Sequence, residues 1–314
     1  MEFDSPICPQ CGAPLSRQAL WRTINCGHCG VVVTRAEAVV LAQRFHEAFQ
    51  RASSSGPTGA STITCAGQRY QVSHSLGYGP NAQLFLGQRL GPAAECVVIK
   101  RGHIAMPPGH LQREMLALAE LQADTSAGAA YFSQRLPQPV WAGEADDGKP
   151  TLLLRHPAGY WGSLADVCPH YPNGIDPRHT VWMWRRVLEV LAYVHAAGWC
   201  HGRLAPEHLL VQPGDHGILI IGWAHAQASS EAAIVRDLMQ SAWSMRALLA
   251  TGDGEPAIPP QVPAALARLL EQASADAVWL ARLGARGLEQ ALTVAARTAF
   301  GTPQFLPFSP TQAR

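Results

Sequence analysis

The spacing of apolar residues divides the chain into a part with strand patterns and a part with helix patterns. Between about residues 63 and 155, short apolar runs such as residues 97–99 and 152–154 lie between turns, which predicts strands. Further along, apolar side chains recur every three or four positions, and residues 178–197 predict a long helix that Gly198 ends. Other helices are predicted over residues 238–251, 263–272 and 276–300. We therefore expect an α+β fold.

The beginning of the chain carries two C-x-x-C-G turns. Fourteen residues separate the two cysteine pairs, which is the spacing of a four-cysteine zinc ribbon, here residues 1–34. Four thiolates complete a tetrahedral shell and leave no position for water, so we expect a structural zinc ion. The alternatives are a redox dithiol or a chance pairing. The expected zinc ligands are Cys8, Cys11, Cys26 and Cys29.

Residues 35–60 have the composition of a connection rather than of a domain. Thr34 and Glu37 form a capping-box signature that predicts a linker helix, and a run rich in Ser, Gly and Pro at residues 53–59 predicts a flexible linker. The ribbon and this linker together therefore precede the main body of the protein.

Composition and charge narrow the classes of function. The chain is 47% hydrophobic and 15% charged, so it can bury a sizeable core. Its net charge is +1, and only Arg17, Arg22 and Arg35 lie near the ribbon, which argues against nucleic acid and favours a ribbon that docks on a protein. No apolar run can span a bilayer, and the acidic N-terminus has no signal-peptide core. We expect a cytoplasmic protein with no membrane partner.

Two motifs in the strand-rich part have residue types that suit phosphate. The run Gly77-x-Gly79-x-x-Ala82 lies in a predicted hairpin, where backbone amides can approach a phosphate closely, although Pro80 removes one amide. A Val-Val-Ile run then ends at Lys100, whose ammonium group can neutralise phosphate charge.

Two further motifs lie in the helix-rich part. Residues 201–211 read His-Gly-Arg-Leu-Ala-Pro-Glu-His-Leu-Leu-Val, and residues 219–224 read Leu-Ile-Ile-Gly-Trp-Ala. The order and spacing of the four motifs resemble those of a protein kinase. The resemblance covers about residues 63–275 and implies a bilobal kinase-like fold. Its expected parts are a small lobe at 61–155, a large lobe at 156–302 and a proline-rich tail at 303–314.

The resemblance also implies a partner for Lys100. Glu114 lies fourteen residues later in a predicted helix, where a kinase places the glutamate that pairs with the strand lysine. The alternatives are that Glu114 is an ordinary surface glutamate, or that Glu120 is the partner. The expected nucleotide-binding residues are Gly77, Gly79, Lys100 and Glu114.

The same resemblance indicates that the acidic chemistry of the family is missing. A kinase loop supplies an aspartate that takes the substrate proton and an asparagine that holds a metal ion, and a later Asp-Phe-Gly supplies the main magnesium ligand. Arg203, His208 and Gly222 stand at these three positions. A guanidinium stays protonated, and an imidazole beside a glycine makes a poor magnesium site. Arg203 is left to contact a phosphate or acidic partner, or to cap nearby carbonyls.

We therefore expect a catalytically impaired pseudokinase. Its role would be that of a scaffold or allosteric regulator among signalling proteins of a bacterial-type complex, with weak binding of ATP or another nucleotide without magnesium. One alternative is an atypical ATP-dependent kinase or nucleotidyl transferase that uses displaced acids, namely Asp166, Glu207 or Asp215. Another is a nucleic-acid-binding adaptor led by the ribbon, which the near-neutral charge disfavours.

Overall fold

The computed structural model describes residues 23–25, 32–34, 61–91, 95–103, 106–157, 159–250 and 257–311. In the N-terminal part, strands β1 (Thr23–Asn25) and β2 (Val32–Thr34) pair antiparallel, with Ile24 opposite Val33. The four cysteines of the predicted ribbon and the predicted linker helix lie outside the described residues. The zinc ribbon therefore stays a prediction.

A six-stranded antiparallel sheet forms the small lobe. Its order is β3-β4-β5-β6-β8-β7, with bounds β3 (Thr62–Cys65), β4 (Gln68–Tyr78), β5 (Ala82–Arg89), β6 (Cys96–Gly102), β7 (Pro139–Glu144) and β8 (Pro150–Arg155). Val97 and Ile99 of β6 are fully buried in one core. Because side chains alternate along a strand, Lys100 points to the opposite face of the sheet.

Helix α1 (His110–Ala123) packs against β7 and β8. One stripe of its surface is buried, and its members recur every three or four residues: His110, Leu111, Glu114, Ala117, Leu118 and Leu121. Glu114 is therefore a carboxylate on an apolar stripe, a place where an acid needs a partner. A four-residue helix, α2 (Ala129–Phe132), follows.

The large lobe is mostly helical. Its elements are β9 (Gly162–Ser163), α3 (Leu164–Val167), α4 (Pro177–Ala196), β10 (Trp199–Cys200), β11 (Leu209–Gln212), β12 (Gly217–Ile220), β13 (Gln227–Ala228), α5 (Glu231–Leu249), α6 (Ala264–Ala275) and α7 (Ala277–Phe300). The core lies where α4, α5 and α7 pack together. The chain kinks inside α7 at Gly284, with φ 61° and ψ −174°. The expected bilobal α+β architecture is confirmed.

One predicted helix boundary was wrong. Helix α5 begins at Glu231 rather than at residue 238, because the Ser230 side chain accepts a hydrogen bond from the Ala233 N–H and caps the first turn. The early start leaves only residues 225–230 between the Gly-Trp-Ala motif and α5. The connection between this motif and α5 is therefore only six residues long.

The tail returns to the large lobe. Phe308 is 7% exposed and lies against the rings of Tyr171, His179 and Trp182. Phe305 is 69% exposed and stacks on the ring of His216. Thus one of the two tail aromatics is a packing anchor. Among the described helices, none has the length and apolar character needed to cross a membrane.

Candidate functional site

The glycine turn between β4 and β5 forms one wall of the cleft. The Gly79 N–H donates to the Ala82 carbonyl at 2.9 Å and closes the turn. The Gly79 carbonyl lies 2.9 Å from His103 Nε2, and the exposed Tyr78 ring lies over the same imidazole at 4.7 Å. An added Cβ at Gly77 would meet no atom within 4 Å, so this part of the turn faces open space.

Glu114 joins the two lobes. Its Oε2 lies 2.6 Å from Lys100 Nζ, and its Oε1 accepts a hydrogen bond from the Trp223 backbone N–H at 3.2 Å. The Glu114 side chain is 1% exposed and that of Lys100 13%, so the pair is largely out of water. The structure thus brings Lys100 and Glu114 together. Glu120 instead accepts a hydrogen bond from Trp199 Nε1 at 2.9 Å.

Asp237 of α5 holds the loop that follows β10. Its carboxylate accepts from the N–H groups of His201 and Gly202, both at 2.8 Å, and lies 3.1 Å from His195 Nε2. Burial and the Asp237 charge raise the pKa of the neighbouring Cys200 thiol to about 12, so the thiol stays protonated at neutral pH. Asp237 therefore braces the loop.

Arg203 and His208 lie in the loop that follows β10, and Gly222 lies directly after β12. Gly222 has φ +83°, the left-handed conformation that favours glycine. A Cβ at Gly222 would lie 2.4 Å from Cδ2 and 2.9 Å from Nε2 of His208, so the imidazole fills the space beside the glycine. Burial, together with nearby His201, lowers the pKa of His208 to about 3. The ring is therefore neutral at physiological pH.

Arg203 belongs to a cationic edge of the cleft. Its side chain is exposed, and Nη1 lies 3.4 Å from His225 Nε2. The His225 ring meets the His110 ring edge-on at 5.1 Å. Burial and nearby Arg203, Lys100 and Arg113 lower the pKa of His225, and burial followed by His225 lowers that of His110.

The backbone requires glycine at position 202, directly before Arg203. Gly202 has φ +81°, and a Cβ there would lie 2.4 Å from the backbone oxygen of His225. Because the neighbour is backbone, any side chain at this position would push the two loops apart. The close approach of residues 225–230 thus requires glycine here.

Asp166, Glu207 and Asp215 are the acids that an active enzyme could use instead, and two of them make hydrogen bonds of their own. Asp166 Oδ2 accepts from the Ser163 N–H and hydroxyl, at 2.8 and 2.7 Å, and so completes the cap of α3. Asp215 accepts from Gln212 Nε2 at 3.0 Å in the turn between β11 and β12. Glu207 is exposed in a 3₁₀ turn. The structure does not gather these three acids into one cluster.

The histidines at the cleft edge were missed by sequence reasoning. His103, His110 and His225 lie far apart in the chain and match no motif. Only His110 carries a usable signal, because it precedes Glu114 by four residues on the same buried stripe of α1.

Comparison with known proteins bears on this geometry. A family model described as the lipopolysaccharide kinase (Kdo/WaaP) family matches residues 135–254, which is less than half of the chain. The crystal structure of the Mycobacterium tuberculosis PknI kinase domain is similar, with a TM-score of 0.57 and 19% identity, covering 76% of this chain and 99% of that one. A double mutant of that domain has a TM-score of 0.55 and 20% identity, covering 77% and 100%. No curated protein sequence matches.

These likenesses define the class of fold. The described body of the chain has a kinase-like fold, with a curled antiparallel sheet above a helical lobe. At identities near 20%, the similarity to these solved structures shows the fold alone.

Proposed function

We propose that this chain is a pseudokinase, a kinase-like regulator or scaffold that acts in a signalling complex without transferring phosphate. One contact carries the proposal: the His208 ring packs against Gly222, where the family has its magnesium carboxylate. Arg203 stands where the family has its proton-accepting aspartate, and a guanidinium cannot accept a proton. The loss of general-base help typically lowers a rate by about 10²–10⁴.

Magnesium does not fit the residues at these positions. It prefers hard oxygen ligands, and the pair offers a neutral imidazole and a hydrogen atom. A carboxylate introduced at Gly222 would have to displace the ring, because its Cβ alone would lie 2.4 Å from His208 Cδ2. No metal-assisted step is therefore part of the proposed function.

We propose that a nucleotide binds weakly and without magnesium. Lys100 is held by Glu114 as a fixed positive charge, and the turn at Gly77 leaves room for a phosphate. Pro80 has no backbone N–H, so the turn has one hydrogen-bond donor fewer to offer a phosphate. Glu114 would position Lys100 rather than touch the nucleotide.

The ribbon would serve as a protein-docking module. We propose that its four cysteines hold one structural zinc ion, which supplies the folding free energy of so small a unit. Metal analysis of the purified chain should give about one zinc per chain. Cys11→Ser and Cys29→Ser should remove it, and Cys96→Ser, at a position outside the two turns, should not.

Lysine labelling gives a sharp test of the nucleotide proposal. The sequence has two lysines, Lys100 and Lys149, and Lys149 is exposed in a turn. An acyl-phosphate derivative of ATP should acylate Lys100 in preference to Lys149, with protection by free ATP and no dependence on magnesium. Equal labelling of the two lysines, or labelling that needs magnesium, would contradict the proposal.

Phosphoryl transfer is the competing function, and the match to a lipopolysaccharide kinase family over residues 135–254 favours it. Radiolabelled ATP with magnesium should give no transfer above background, both to the chain itself and to lipopolysaccharide. Transfer that disappears in Lys100→Arg, and in at least one of Asp166→Asn, Glu207→Gln and Asp215→Asn, would replace the pseudokinase by an enzyme.

A further inference from the structure

The tail that follows α7 crosses the large lobe as an extended peptide. Residues 301–311 form no helix or strand, and among them only Phe308 and Pro310 are buried. Phe305 stands three positions before Phe308, and each of the two rings meets aromatic or imidazole rings of the large lobe. The tail is therefore held at a few points rather than packed along its length.

The surface beneath the tail, which we call the tail seat, contacts both side chains and backbone of the tail. Phe305 stacks on one ring of the seat, with the ring centroids 4.4 Å apart and the planes at 18°, and Phe308 lies against three others. The Tyr171 hydroxyl donates to the backbone carbonyl of Ser309, a contact that any residue at that position could make. The rings of the tail seat are Tyr171, His179, Trp182 and His216.

Contacts within the large lobe hold the rings of the tail seat in place. Trp182 of α4 stacks on His216 of the turn between β11 and β12, with centroids 4.2 Å apart and planes at 7°. Trp182 Nε1 donates to His179 Nδ1 at 3.2 Å, and Arg186 Nε lies 3.4 Å from the His216 carbonyl oxygen. Because these contacts join α4 and the hairpin to each other, we expect the rings to keep their places when the tail leaves.

His216 indicates that the tail is an imperfect occupant of the seat. Trp182 covers one face of its ring and Phe305 the other, and the residue is 9% exposed. Within the described part of the chain, His216 Nε2 is buried and has no hydrogen-bond partner. Burial of a polar atom without a partner costs free energy. Undocking of the tail uncovers one face of the ring and gives water or another donor access to Nε2, so this cost favours undocking.

We propose that the tail seat is a docking site for an extended segment of a partner protein and that the chain's own tail is a displaceable occupant. The partner segment would carry two aromatic side chains three positions apart, as Phe305 and Phe308 are, and a proline at the position of Pro310. The seat lies apart from the cleft that contains Lys100 and Glu114. The inference therefore goes beyond the proposed nucleotide site and stands whether or not the cleft binds nucleotide.

The length of the tail favours a partner segment over the tail of a second copy. Phe305 follows the end of α7 at Phe300 by five residues, which can span at most about 18 Å. A second copy would have to bring the end of its own α7 within that distance of the seat. A separate segment has no such constraint.

Fluorescence anisotropy with the full chain tests the proposal. The probe is a fluorescein-labelled peptide with the sequence of residues 302–312, Thr-Pro-Gln-Phe-Leu-Pro-Phe-Ser-Pro-Thr-Gln. The wild-type chain should bind the probe saturably in the millimolar range. A chain with Phe305→Ala together with Phe308→Ala has an empty seat and should bind at least about tenfold more tightly, because its own tail no longer competes.

Substitutions in the tail seat should act on the chain with the empty seat. His216→Ala removes the ring beneath Phe305 of the probe and should weaken binding by at least about fivefold. Tyr171→Phe keeps the ring and removes one hydrogen bond, so it should weaken binding by about two- to tenfold. Leu116→Ala removes an exposed leucine from α1 and is the matched control, with unchanged affinity expected.

A single substitution guards against loss of the fold in the double variant. Phe305→Ala leaves the buried Phe308 in place and should already tighten binding of the probe relative to the wild-type chain. Thermal unfolding verifies that each variant is folded. Labelling of Lys100 tests the nucleotide site separately, so failure of one proposal is distinguishable from failure of the other.

Three results would overturn the docking proposal. Absence of binding to the wild-type chain at millimolar probe would show that the tail is a fixed part of the fold. Equal affinity for a probe with alanine at both phenylalanine positions would show that the rings are not recognised. If light scattering shows that the wild-type chain dimerises as its concentration rises and the chain with the empty tail does not, the occupant is the tail of a second copy.

Discussion

Gly222→Ala measures how closely the His208 ring packs against the position at which we propose that the magnesium carboxylate of kinases is missing. Gly222 has φ +83°, and a left-handed conformation costs a residue with a Cβ about 1–2 kcal/mol. The new Cβ would lie 2.4 Å from His208 Cδ2, so the ring must move, and overpacking of this kind typically costs about 1–3 kcal/mol more. We therefore expect the free energy of unfolding to fall by about 2–5 kcal/mol in total.

Gly198 offers the matched control for the backbone part of this cost. It follows α4 with φ +87°, and a Cβ there would meet nothing within 4 Å. Gly198→Ala should therefore lower the free energy of unfolding by about 1–2 kcal/mol only. Urea unfolding followed by tryptophan fluorescence measures both variants. The difference between them isolates the contact with the ring.

A double-mutant cycle completes the test. His208→Ala removes the ring, so Gly222→Ala in that background should cost no more than Gly198→Ala. The coupling free energy between Gly222 and His208 should be about 1–3 kcal/mol. Equal destabilisation by Gly222→Ala and Gly198→Ala in the wild-type background, or a coupling near zero, would refute the reasoning.

Two further predictions concern the tail and the response to acid. Phe308→Ala should lower the free energy of unfolding by about 3 kcal/mol, because the ring is buried, while Phe305→Ala, at an exposed ring, should cost less than about 1 kcal/mol in the same urea assay; equal effects would contradict this. Burial lowers the pKa of His208 to about 3 and that of His216 to about 4, from an ordinary 6.5. The two histidines therefore bind protons more tightly in the unfolded chain than in the folded one. Their neutral forms contribute fully to the free energy of unfolding above pH 6.5. Below that pH the free energy of unfolding falls toward pH 4, by up to about 1.4 kcal/mol per pH unit for each histidine. Urea midpoints that do not change between pH 7 and pH 5 would contradict this prediction. His216→Gln should make the free energy of unfolding less dependent on pH.

Much of the fold could be predicted because its signals are local. The short apolar run before Lys100 and the helical stripe that contains Glu114 each follow from which side chains must be buried. The order of the motifs then indicated the kinase-like arrangement, and the Lys100–Glu114 contact is where that order placed it. The start of α5 was missed, because the Ser230 cap begins the helix two turns before the apolar positions that predicted it from residue 238.

The edge of the cleft could not be predicted, since it is built from residues with no sequence signal. His110 and His225 are 115 positions apart and meet only because α1 packs beside the segment that precedes α5. A shallow groove lined by Arg113 of α1 and Arg236 of α5 has the same origin, because it joins the surfaces of two helices from different lobes.

The sequence by itself determined which groups are absent from the cleft. Arg203 cannot accept a proton, and neither Gly222 nor the His208 imidazole offers a hard oxygen ligand to a metal wherever the backbone places them, because that chemistry belongs to the side chains themselves. Only the tertiary structure decided what occupies the space instead. The antiparallel pairing of β11 and β12 brings the residues on either side of this hairpin together at Gly222, and the neutral ring of His208 fills the volume beside it, because a packed interior leaves no such space empty.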